Sequence, residues 1–180
     1  MRPPECLETP RLLLRPVQLP DASEIFSCYA SQELPTRFMN FTRHRTLAES
    51  ETFARRCVDC WNTGSAFPWA ITAKATDEFM GVIELRVTTP KADFGYILGA
   101  AYWGQGFATE AASAVVNWAI SQDSIYRVWA TCHPQNHASA AVLRKAGLHF
   151  ESTLLNWEAR PQLGEKAGAS ACYAITKSVT

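Results

Sequence analysis

Trp103-Gly104-Gln105-Gly106-Phe107-Ala108-Thr109-Glu110 decides the fold. Upstream of it, Asp93 to Gly99 reads as a short strand. Downstream, Ala108 to about Ser121 reads as a long helix with an inner face of Ala108, Ala111, Ala112, Val115 and Ala119. A strand that runs through a glycine-bearing turn onto a helix presents unpaired N–H groups at the positive end of the helix dipole. Phosphate binds there provided side chains leave the backbone open. Gly104 and Gly106 leave it open, and Ala108 keeps the first helical turn slim. The same glycines could simply make a tight turn. The third glycine and early strand of a dinucleotide fingerprint are missing, as is the Gly-Lys-Ser/Thr of a nucleotide-triphosphate loop.

A second segment, Asn136-His137-Ala138-Ser139-Ala140-Ala141-Val142-Leu143-Arg144-Lys145-Ala146-Gly147, reads as a short helix stopped at Gly147. Asn136 and Ser139 are three residues apart and share a face. Taken alone, Asn136 is equally an N-cap and Ser139 a solvated helix residue.

The remaining elements surround these two. Leu7 to Val17 reads as a first strand, and Asp21 as the cap of a helix carrying Ala22, Ile25, Phe26 and Tyr29. Ser31 to Arg45, interrupted by Pro35, reads as loop. Thr46 with Glu49 forms a capping box that opens a helix with Ala54, Cys57, Val58 and Trp61 on one face. Phe67 to Lys74 and Phe79 to Thr89 read as a hairpin, and Tyr126 to Cys132 as an alternating strand. Leu148 to Glu158 and Ala171 to Lys177 complete the strands, and Arg160 to Ala169 reads as turn. The expectation is one mixed α/β domain spanning 1–180: a twisted, mostly antiparallel sheet flanked by helices on both faces, with a splayed cleft beside Asp93–Gly99.

Together the two segments resemble the GNAT superfamily of acyl-CoA-dependent N-acyltransferases, and the resemblance runs from Glu8-Thr9-Pro10-Arg11-Leu12 to the final strand. It is closest to the branch that includes the bacterial ribosomal-protein N-terminal acetyltransferases. It implies that acetyl-CoA is the co-substrate. The pyrophosphate would lie on Gly104, Gln105, Gly106, Phe107, Ala108 and Thr109. The pantetheine arm would lie along Ile97, Leu98 and Gly99 as an added strand, and Asn136 would face the coenzyme. Where many members carry a tyrosine acid, this chain has Leu143, which turns attention to Ser139 as the proton donor to the leaving thiolate. Glu84, on the strand Gly81-Val82-Ile83-Glu84-Leu85, is the candidate base, acting directly or through water; otherwise it is a sheet-surface carboxylate. His133 reads as a satisfied structural histidine, His137 as exposed, and Glu110 as structural.

Composition limits the alternatives. Of 180 residues, 17 are Lys or Arg and 17 Asp or Glu, a formal net charge of zero. That gives no electrostatic reason to expect nucleic acid or an anionic membrane as partner. No apolar run approaches a membrane span, and the N-terminus has no signal-peptide core, so a soluble cytoplasmic protein is expected. The six cysteines read as buried thiols. Cys57 and Cys60 have metal-like spacing, but no second pair follows and no metal site is expected. The acceptor is left open between a peptide N-terminus and a small-molecule amine. So are a longer acyl group, an acyl-CoA sensor without activity, and a homodimer.

Overall fold

The structure, a computed structural model, describes residues 1–178; the expected domain extends two residues beyond the described ones. Eight strands form one sheet: β1 (Leu7–Glu8), β2 (Leu12–Pro16), β3 (Phe67–Ala73), β4 (Phe79–Thr88), β5 (Lys91–Leu98), β6 (Arg127–Cys132), β7 (His149–Arg160) and β8 (Glu165–Thr176). Their spatial order is β1-β2-β3-β4-β5-β6-β8-β7. Every neighbouring pair is antiparallel except β5 and β6, which run parallel. This is the mostly antiparallel mixed sheet that the sequence implies.

The helices are α1 (Ala22–Ile25), which widens into a π turn over Phe26–Ala30, α2 (Glu33–Thr36), α3 (Leu47–Thr63), α4 (Phe107–Ser121) and α5 (His137–Lys145). β4 shows how they are distributed. Successive strand residues point to opposite faces, so Ile83 and Leu85 join a cluster with Ala111 and Val115 of α4. Val82 joins the opposite cluster, with Ile25 of α1 and Ala54 and Cys57 of α3. Glu84, the carboxylate next to Val82 on that second face, is thereby turned toward α3.

Local signals placed most boundaries. Thr46 and Glu49 form the expected capping box at the start of α3, and Gly64 closes that helix at φ +71°. β6 alternates as read, with Val128, Ala130 and Cys132 buried.

Four expectations need correction. The first strand is a hairpin of two, because Thr9 turns the chain: its hydroxyl accepts from Leu12 N–H at 2.8 Å, and Leu7 pairs with Leu14. Asp21 stands at the N-cap of α1 but its side chain does not cap the helix; the carboxylate takes both arms of Arg15 at 2.8 Å and the Gln18 N–H. The Ser31–Arg45 loop contains α2. The last strand begins at Glu165, not Ala171, because the turn is confined to Pro161–Gly164 and Arg160 already pairs with Glu165.

Candidate active site

The parallel pair β5 and β6 makes ladder contacts only at Lys91–Arg127, Ala92–Val128 and Asp93–Trp129. Beyond them the two strands part. The opening is a cleft of about 1020 Å³, lined by Phe94 to Leu98 on one side and Ala130 to His133 on the other. Just past the end of β5, Gly99 N–H is turned inward to Met80 O at 2.9 Å. Hydrogen bonding along a strand alternates between its two edges, so the Leu98 N–H and C=O face the cleft. Trp103 Nε1 already donates to that Leu98 carbonyl at 3.0 Å, leaving the N–H for a ligand. Two glycines let β5 lie this close to its neighbours. A Cβ on Gly81 would collide with the Ile97 carbonyl oxygen, and one on Gly99 would come within 2.5 Å of Cys28 Sγ.

The turn at the mouth has the expected form. Gly104 and Gly106 sit in the left-handed region at φ +73° and +84°, which side chains rarely adopt. Gly106 is the N-cap of α4, and no side chain caps the helix. Its first amides are therefore free for an anion. Gly104 through Thr109, Gln105 excepted, line the cleft.

α5 forms the opposite wall near the divergence. Asn136 Oδ1 accepts from Ser139 N–H at 3.1 Å, so Asn136 is the N-cap of α5, and the residue also lines the cleft. Ser139 Oγ lies 3.0 Å from the Tyr96 hydroxyl. Burial is the main influence on Tyr96 and pushes its pKa up to about 12, so it stays protonated at neutral pH. The sequence reading used only the backbone of β5 and missed this hydroxyl. The available signal was a tyrosine inside the strand expected to border the cleft.

Glu84 lies among guanidinium groups. Arg56 of α3 grips it with Nη1 at 2.8 Å and Nη2 at 3.1 Å, and Arg86 Nη1 donates at 2.7 Å while its Nε holds Asp93 at 2.7 Å. Burial alone would raise the Glu84 pKa. The hydrogen bonds and charges of Arg56 and Arg86 outweigh it, so the carboxyl is held below its ordinary value. Neither arginine was foreseen as its partner.

The far end of the cleft is roofed. The segment Arg37–His44 crosses to the β7–β8 turn, where Gln162 Nε2 donates to Phe41 O at 2.7 Å and Thr36 O at 3.2 Å. Gln162 Oε1 accepts from Arg43 N–H at 3.3 Å, and Asn40 Nδ2 donates to Glu158 Oε1 at 2.7 Å. Phe38 stacks on His133 at 5.0 Å. His133 Nδ1 accepts from Gln135 N–H and Nε2 sits 3.3 Å from Glu165, so both ring nitrogens are engaged.

A sheet that splays at its one parallel pair, with an uncapped glycine turn at the mouth, defines an α/β acyltransferase fold. The family profile described as an acetyltransferase (GNAT) domain matches residues 11–149, and the chain belongs to that family. The uncharacterized N-acetyltransferase p20 of Bacillus licheniformis is 29% identical over 157 residues, which cover 86% of this chain and 88% of that protein. Among solved structures, RimJ of Mycobacterium smegmatis in complex with CoA-disulfide superposes with a TM-score of 0.84 at 22% identity, covering 98% of this chain and 90% of that one. A Salmonella typhimurium acetyltransferase that modifies the N-terminal serine of ribosomal protein L7/L12 gives 0.82 at 18% identity, covering 97% and 100%. The resemblance to the ribosomal-protein branch thus holds at the level of fold. No helix among the described residues is long and apolar enough to cross a membrane.

Proposed function

We propose that the protein transfers an acetyl group from acetyl-CoA directly to a primary amine, such as the N-terminus of a peptide. The observation that carries this is the Ser139–Tyr96 hydroxyl pair, which lies in the same cleft as the Leu98 N–H and the uncapped turn. Coenzyme phosphates would take the amides from Phe107 to Thr109, and the pantetheine arm would run along the free edge of β5 through Ile97, Leu98 and Gly99. Asn136 supports this arrangement by ordering the first turn of α5.

In the reaction the amine nitrogen forms a bond to the thioester carbon while the carbonyl electrons move to oxygen. The Leu98 N–H faces that oxygen. Collapse breaks the C–S bond, and the departing thiolate takes the proton of Ser139 Oγ, which Tyr96 replaces. The proton lost by the amine passes through water, with Glu84 lining the same cleft, and restores the Tyr96 hydroxyl, so that the relay ends as it began.

Release of free CoA thiol with a panel of peptides and small amines tests the reading. Ser139→Ala should lower kcat by roughly 10- to 1000-fold, the span of acid–base assistance, while acetyl-CoA affinity stays within about 2-fold. Full turnover in Ser139→Ala removes the acid role. Tight binding of acetyl-CoA with no turnover on any acceptor replaces the enzyme by a sensor.

A further inference from the structure

The turn at the mouth is fastened from far away in the sequence. Three donors of the β1–β2 turn converge on one carboxylate of α4. Thr9 Oγ1 donates to Glu110 Oε1 at 2.6 Å, Arg11 N–H donates to the same oxygen at 2.9 Å, and Arg11 Nε donates to Glu110 Oε2 at 2.7 Å. The guanidinium continues past this pair: Nη1 donates to the Gln105 carbonyl at 3.0 Å, and Arg11 lies 4.4 Å from the centre of the Phe107 ring. Gln105 stands between the two left-handed glycines, and a Cβ on Gly106 would be 3.3 Å from Arg11 Nη2.

A turn of this kind has a strong claim on an external brace, because glycine loses more backbone freedom on ordering than any other residue. The charges add a second requirement. Glu110 occupies the first turn of α4, close to the amides that would receive a phosphate. Uncompensated, its carboxylate would repel that phosphate; paired with Arg11, it does not. A planar guanidinium holds the carboxylate and the Gln105 carbonyl with separate nitrogens at a fixed spacing, a geometry that the single nitrogen of an ammonium does not reproduce.

We propose that Arg11 and Glu110 are positioning residues for the coenzyme, holding Gly104–Gly106 in the shape that accepts its phosphates. The inference rests on the acetyl-CoA reading above and names residues outside the turn on which coenzyme affinity depends.

Calorimetric titration with CoA and with dephospho-CoA, on the full chain and on Arg11→Gln, Arg11→Lys, Glu110→Gln and the Arg11→Gln/Glu110→Gln double variant, tests it. Each single variant should weaken both ligands by roughly 5- to 30-fold, less than the full value of a charged hydrogen bond because the brace acts on the ligand only through the turn. The double variant should bind no worse than Arg11→Gln, since removing Glu110 removes the repulsion. The KM for acetyl-CoA should rise with kcat at saturation unchanged, which a general loss of folding would not produce. Arg11→Lys binding as tightly as the parent overturns the proposal in favour of simple charge attraction. Losses seen with CoA but absent with dephospho-CoA overturn it in favour of direct contact with the 3′-phosphate. A parent chain that binds neither ligand overturns the acetyl-CoA reading itself, whatever the variants do.

Discussion

Between Leu98 and Thr109 the cleft wall is backbone kept open by glycines, whereas along Arg37–His44 and the facing Glu158–Gln162 it is held together by particular side chains. The first wall can be rebuilt in any chain that repeats its turn, because amides and carbonyls are the same everywhere. The second depends on particular partners, such as Gln162 with three backbone groups and Asn40 with Glu158. A common donor and a variable acceptor would require such a division, with the shared chemistry in the backbone and the selective chemistry in loops.

The sharpest way to break this contrast is Gly106→Val. At φ +84° a β-branched residue is strained, and its Cβ presses on Arg11 while its methyl groups shade the α4 amides. Coenzyme affinity should fall by at least about 100-fold in a protein that still folds, since left-handed strain at one exposed position is only roughly 1–2 kcal/mol. Calorimetry finding unchanged affinity in folded Gly106→Val would remove the phosphate site from the turn.

The opposite wall is probed by Gln162→Ala, which releases three hydrogen bonds at about 0.5–1.5 kcal/mol each before relaxation. The acceptor KM should rise about 10-fold, with coenzyme affinity within about 2-fold of the parent. Parallel losses in both constants would show that the two walls are one unit, and the contrast would fail.

The two walls also differ in how far they could be read from sequence. The turn, the long helix behind it and the Asn136–Ser139 helix follow from neighbours in the chain: glycine conformations, a cap and a period of 3.6. What could not be read joins residues far apart. Ser139 meets Tyr96 from 43 positions away, Glu84 meets Arg56 from 28, and Gln162 meets Phe41 from 121. No periodicity encodes such pairs. β8 was begun six residues late for a related reason. Glu165-Lys166-Ala167-Gly168 has weak strand preference. The strand forms there because buried Arg160 reaches across the hairpin to Ala169 O at 3.1 Å and Ser170 Oγ at 2.6 Å. Asn136 shows how two readings coexist: its Oδ1 caps α5 through Ser139 N–H while the residue lines the cleft.

Glu84 lines the same cleft between Arg56 and Arg86, and its variant should give the smallest effect. With its pKa held below the ordinary carboxylate range, Glu84 is ionised throughout the neutral region, so its own titration shapes nothing there. The sign follows: its ion pairs with Arg56 and Arg86 add stability that is present above the unfolded carboxyl pKa and lost only as pH falls through the lower folded value. A change with pH in the size of the Glu84→Gln loss therefore follows the protonation of the acceptor. A peptide α-amine with pKa of about 7.7–8.0 is only about 1–2% neutral at pH 6 and about 90% or more neutral at pH 9. A base can help in the first case and has nothing left to do in the second. A carboxylate already holding three guanidinium donors is a poor base, so Glu84→Gln should lower kcat/KM by about 3- to 10-fold at pH 6, well under the usual span for acid–base groups. The loss should shrink to under about 2-fold at pH 9. A loss equal at both pH values would assign Glu84 to positioning, fixing Arg56 and Arg86 at the rim of the acceptor wall. A loss that grows with pH would contradict both roles.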